Sequence, residues 1–254
     1  MQGYPALPSG SPNGPYPLRA GLAWELPSEG PSRGKGHRKA LDRLFFHDMA
    51  NLVQSLRGWS DMLHQGRVQP EDASGRLLHL TERLGRVLDS HRTVAEWGLP
   101  LPQFKFVEPN HLFAELRDFL VGHPASEGKG IDVRWAEENG IETDADLLIR
   151  VLLNMAINAL EATSVGASIL LESQWMGGEV RLAVHNPDPI APGVRSGIFK
   201  RSFSTKPEPG RGLGTYAMKL FGEVVLGGKV GFHSGPEGTC FWIRLPQHVR
   251  GSEH

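Results

Sequence analysis

The chain has 254 residues, with 27 Lys plus Arg set against 28 Asp plus Glu, a net charge of -1 and 39% hydrophobic residues. That balance gives no electrostatic case for a nucleic acid or an anionic membrane as partner, and the apolar content is ordinary for a protein with a real core. The single cysteine, Cys240, excludes an intrachain disulfide and reads as a small buried strand residue in Thr239-Cys240-Phe241-Trp242-Ile243.

Residues 1–37 hold seven of the 19 prolines, interleaved with Gly and Ser. With so little clustered apolar surface to offset the entropy of ordering, this segment is expected to be a disordered tail, too short for an ordinary sensory domain. The N-terminus lacks the basic-then-apolar order of a signal peptide, and no apolar run approaches the roughly 20 residues that cross a bilayer. A cytoplasmic location without a membrane span is therefore expected.

From about residue 38 the periodicity becomes helical. Leu41, Phe45, Met49, Leu52, Leu56, Trp59 and Leu63 recur at spacings of three and four and form one seam. Gln65 to Pro70 breaks it, and a second seam runs through Ala73, Leu77, Leu80, Leu84, Val87, His91 and Val94. Two such helices make an antiparallel hairpin over residues 38–98, and so much apolar seam needs a cover, most economically a four-helix bundle built by a homodimer. His47, two residues from both Phe45 and Met49, should point away from the seam into solvent, with Asp48 beside it and Asn51 one turn on along the same face. No other histidine has such a neighbourhood, and no pair has the spacing of a zinc site.

The breaker cluster Gly98-Leu99-Pro100-Leu101-Pro102 separates a second module over residues 103–248. Strands are expected at Phe104 to Val107, Ile131 to Ala136, Ala167 to Trp175, Val180 to Asn186, Lys229 to Ser234 and Thr239 to Leu245. Helices are expected at Pro109 to Leu120, from Thr143 to about Thr163 with Thr143 and Asp146 in capping-box spacing, and after Gly214. This order implies an α/β sandwich, one mixed sheet with helices on one face, so the whole chain reads as α+β. The helix from Thr143 is apolar almost all round except for Asn154 and Asn158, whose i, i+4 spacing brings two amides to one place. Two amides bonded to backbone would satisfy that pattern; so would Asn158 offering an oxygen to Mg2+, which favours hard oxygen ligands.

These residues carry a family resemblance. His47-Asp48-Met49-Ala50-Asn51-Leu52 resembles the H box of sensor histidine kinases, and Asn154-Met155-Ala156-Ile157-Asn158-Ala159 their N box. Ile198-Phe199 through Phe203-Ser204-Thr205-Lys206 is similar to the F box, and Gly210-Arg211-Gly212-Leu213-Gly214-Thr215 to the second glycine box. The resemblance spans about residues 38–246, with the boxes in family order. It implies a dimerisation and histidine-phosphotransfer hairpin, a Bergerat-type ATP-binding domain, autophosphorylation of His47 with ATP and Mg2+, and phosphotransfer to the receiver domain of a response regulator.

On that reading Gly210, Gly212 and Gly214 let backbone amides approach phosphates ahead of a helix N-terminus near Thr215, and Phe203 to Pro209 form a lid from which Thr205, Lys206 and Arg211 reach the nucleotide. Asp48 would orient His47, and Asn51 stands where phosphatase-competent family members carry an amide or hydroxyl. The departure is the first glycine box: Asn186 occupies the usual aspartate position, with Asp188 as the adenine contact if the register slips. This departure motivates the alternative of a degenerate kinase that docks a regulator while its ATP domain is inert. Input would come from a separate sensor partner or from the tail.

Overall fold

The computed structural model describes residues 31–97, 102–135, 140–199 and 214–248. Helix α1, Pro31–His64, and helix α2, Pro70–Trp97, form the hairpin. Helix α1 opens at Pro31, so the last seven residues of the segment expected as a tail are helical. Pro at the first helical position lacks only an N–H that would have had no partner.

The hairpin seam is buried at Leu41, Phe45, Leu52 and Trp59 of α1 and at Ala73, Leu80 and Val87 of α2. Met49, Leu56, Leu77 and Leu84 are partly buried against the same core. Part of the cover of the seam comes from the chain itself. Phe46, Val53, Leu78 and Leu88 remain exposed on the outside of the hairpin.

The second module holds a five-stranded sheet in the order β2-β4-β5-β7-β6. Its strands are β2 Gly130–Arg134, β4 Ser168–Trp175, β5 Glu179–Asn186, β6 Lys229–Gly235 and β7 Gly238–Pro246. Only β2 and β4 are parallel; the other neighbours are antiparallel, which makes the sheet mixed as expected. A separate two-stranded ribbon pairs β1, Lys105–Val107, with β3, Ile141–Thr143. Helices are α3 Pro109–Val121, α4 Ala145–Ala162, the short α5 Pro192–Arg195 and α6 Gly214–Lys219, which continues as a π-helical turn over Leu220–Val225. Cys240 lies buried in β7.

Helix α4 is the centre of this module, packed on β4, β5 and β7 below and on α3 and α6 beside it. That position explains why Leu148, Ile149, Val151, Leu152, Met155, Ala156 and Leu160 are all fully enclosed. Its cap is Asp144, whose Oδ1 accepts the N–H of Leu147 at 3.0 Å while Oδ2 accepts that of Gln103 at 2.7 Å. Thr143, the expected first residue, belongs to β3.

The two modules are clasped together. Gly58 of α1 sits against the carbonyl of Gly122 at the end of α3, where any side chain would collide. Beside it Trp59 Nε1 donates to the Asp118 carbonyl at 3.0 Å, and Arg76 pairs with the Asp118 carboxylate and lies over the Trp59 ring. Further along α2, the buried Arg83 donates to Glu115 Oε1 at 2.6 Å and to the Asp146 carbonyl at 3.0 Å, and Arg86 reaches Asp146 Oδ1 at 3.0 Å.

Candidate active site

The polar face of α1 around His47 turns inward. His47 is 29% exposed at its side chain, while Asp48 and Asn51 are buried. This corrects the solvent-facing position expected for all three. Helical periodicity separates the face from the hairpin seam, but the ATP-type module then packs over it.

The imidazole of His47 has two neighbours at one nitrogen: Asp48 Oδ1 is 3.6 Å and Asn51 Nδ2 3.4 Å from Nδ1. The other Asp48 oxygen, Oδ2, accepts from Arg150 of α4 twice, from Nη2 at 2.6 Å and from Nε at 2.8 Å. Burial pushes the Asp48 carboxyl up, but Arg150 and then His47 pull it down further, so it stays below its ordinary value and is ionised at neutral pH. Arg150 also lies over the Phe221 ring, with 4.3 Å between guanidinium carbon and centroid. Sequence reading missed Arg150. The available signal was a single cation in an otherwise apolar helix, one turn before Asn154.

One turn after Arg150, Asn154 is buried and donates from Nδ2 to the Arg150 carbonyl at 2.8 Å. This back-bond satisfies half of its amide, as the structural reading of the pair allows, and leaves Oδ1 beside Gly214 at the start of α6. A Cβ on Gly214 would come within 2.7 Å of that oxygen. Asn158, a further turn on, is partly exposed. An amide oxygen is a hard ligand of the kind Mg2+ takes, and the partly exposed Asn158 is the more accessible of the two amides. Thr215 follows Gly214 in the first turn of α6.

At the far end of β5, Asn186 is buried and donates from Nδ2 to the Asp188 carbonyl at 3.1 Å. Thr239 Oγ1 donates to the same carbonyl at 2.8 Å and lies 3.0 Å from Ser234 Oγ, which accepts the N–H of Ile190 at 2.7 Å. The segment replacing the first glycine box is thus tied down by its own hydrogen bonds, and Asn186 Nδ2 is committed to backbone. Thr205, Lys206, Gly210, Arg211, Gly212 and Leu213 lie outside the described residues, as does the expected lid. Among the described residues no group of His, Cys, Asp and Glu could hold a metal ion, and no helix is long and apolar enough to cross a membrane.

The architecture has clear relatives. Residues 143–249 match the family described as Histidine kinase-, DNA gyrase B-, and HSP90-like ATPase. The chain is 30% identical over 215 residues to the C4-dicarboxylate transport sensor protein DctB of Rhizobium meliloti, covering 78% of this chain and 33% of that one. It is a sensor histidine kinase family member. The sensor histidine kinase CusS of Escherichia coli strain CFT073 is 25% identical over 218 residues, covering 82% of this chain and 39% of CusS. The solved catalytic domain of histidine kinase ThkA superposes with a TM-score of 0.53 at 26% identity, covering 57% of this chain and 97% of that domain. The chain spans between a third and two-fifths of the length of these two curated kinases.

Proposed function

We propose that this protein autophosphorylates on His47 with ATP and passes the phosphoryl group to an aspartate in the receiver domain of a response regulator. The observation that supports this reading most is the meeting of α1 and α4: His47-Asp48 is joined through Arg150 to the helix that carries Asn154 and Asn158. The proposed phosphoacceptor is thus linked to that helix through Asp48 and Arg150.

In the reaction, Nε2 of His47 attacks the γ-phosphorus, the nitrogen–phosphorus bond forms as the bond to the bridging oxygen breaks, and ADP leaves. The proton on Nδ1 passes toward Asp48, whose Oδ1 already faces that nitrogen. Asn158 would hold Mg2+, which would supply charge neutralisation at the phosphate oxygens. Asn154 stands at the entrance at Gly214, while Lys206, Arg211, Thr205 and the remaining glycines of the second glycine box would complete the phosphate grip. Asn186 and Asp188 line the adenine side, where Asn186 Nδ2 holds the Asp188 backbone in place.

The exposed Phe46, Val53, Leu78 and Leu88 support a homodimer through the outer face of the hairpin. Asn51 holds a water for dephosphorylation of the regulator, and because it is buried here that step needs the ATP module to move aside. Titration with ATP and Mg2+ tests the reading against an inert ATP domain. Saturable binding that weakens in Asn158→Ala supports the kinase; no binding at millimolar ATP favours a docking module.

A further inference from the structure

Arg150 belongs to the nucleotide-type module, yet both of its hydrogen bonds reach across to the carboxylate next to the phosphoacceptor. The two bonds go to one oxygen, Oδ2, and leave Oδ1 on the His47 side. Resting on the kinase reading above, we propose that Arg150 is a positioning residue for His47 phosphorylation: by docking on Asp48 it keeps the carboxylate ionised and aimed at Nδ1, so the base is complete only when the ATP module is seated.

Physical chemistry sets the direction of the effect. Asp48 is buried, and a buried carboxylate without a partner takes up a proton. A protonated Asp48 cannot accept the Nδ1 proton, and one free to rotate has no reason to keep Oδ1 toward the ring. Arg150 is itself held from two sides: the Phe221 ring lies under its guanidinium, and its carbonyl receives the Asn154 amide. A shift of α4 or of the π-helical turn that carries Phe221 would therefore move the Asp48 partner. Among the described residues, the charged and titratable groups around Asp48 are His47 on its own helix and Arg150 on α4. His123, at the turn after α3, has its pKa lowered to about 4 by burial, with Glu161 of α4 opposing and His47 adding to that shift. It stays neutral through the range in which Asp48 is expected to act.

The test is a double-mutant cycle on the full chain, reading the initial rate of His47 labelling from γ-labelled ATP across pH, with ATP affinity measured in parallel. Arg150→Gln is expected to lower the rate by about tenfold or more and to move the acidic limb of the pH profile upward, with ATP affinity little changed. Arg150→Lys should recover part of the rate and return the limb toward wild type. In an Asp48→Asn background, Arg150→Gln should cost little further, because both changes remove the same base. Equal losses from Arg150→Gln in the two backgrounds would overturn the proposal, as would a faster rate or an unmoved pH limb. If Arg150→Gln no longer binds ATP, the cycle is run with Arg150→Lys: a rate loss that disappears in the Asp48→Asn background supports positioning, and an equal loss in both backgrounds contradicts it. Failure of the wild type to label His47 would instead sink the kinase reading itself.

Discussion

Arg83 of α2 and Glu115 of α3 meet at 2.6 Å across the two modules, and the arginine side chain is only 2% exposed. A second acceptor, the Asp146 carbonyl, and the Phe119 ring complete its surroundings. Removing the arginine leaves a cavity and takes from the Asp146 carbonyl and Glu115 a buried charged donor, Glu115 keeping only His79 at 3.0 Å among the described residues. Arg83→Ala is therefore expected to lower the unfolding free energy by about 3 kcal/mol. Urea denaturation measures it, and a loss within about 0.5 kcal/mol would show that the clasp adds little.

His123 gives the protein a pH dependence of defined sign. Its Nδ1 accepts the N–H of Ala125 at 3.2 Å, Nε2 is buried without a hydrogen-bond partner among the described residues, and burial lowers its pKa from 6.5 to about 4. The unfolded chain binds this proton more readily, so the stabilisation is complete above pH 6.5 and is lost as pH falls toward 4. His123→Asn, which keeps an acceptor for the turn but cannot titrate, should flatten the stability slope in that window. Parallel slopes for the two proteins would count against it.

Gly214 stands so close to Asn154 that even one added carbon forces the amide to move. Gly214→Ala is expected to weaken ATP binding by about 5- to 30-fold, the equivalent of about 1–2 kcal/mol of overpacking, with helix content unchanged. Calorimetric titration of the nucleotide reads this directly. Unchanged affinity would mean that Asn154 and the α6 entrance lie apart from the nucleotide.

Asn51 offers a way to separate the forward and reverse reactions. It touches the His47 side of α1 through Nδ2 and has no contact with Arg150 among its hydrogen bonds. Asn51→Ala should label His47 at near the normal rate but leave a phosphorylated regulator intact for longer. Equal dephosphorylation by variant and wild type would remove the amide from the reaction.

Much of this architecture is written in local pattern. The seams of α1 and α2 and the all-round apolar α4 declare themselves by pattern, and all six expected strands have ends within two residues of those observed. Ribbon strand β3 was hidden because three residues carry no periodicity, and Asp144 was passed over as a cap because Thr143 offered the commoner box spacing. The larger omission concerns partners. Periodicity shows that His47, Asp48 and Asn51 leave the hairpin seam, but it cannot show that another module of the same chain covers them. Arg150 is 102 residues from Asp48 in sequence, so nothing short of the fold could pair them.

The most direct measurement is incubation of the full chain with γ-labelled ATP and Mg2+, followed by acid and base treatment of the labelled protein. Phosphorus on an imidazole nitrogen is lost in acid and kept in base, whereas a serine or threonine ester survives acid. The account predicts an acid-labile, base-stable label that is absent in His47→Gln; label that persists in that variant would contradict it.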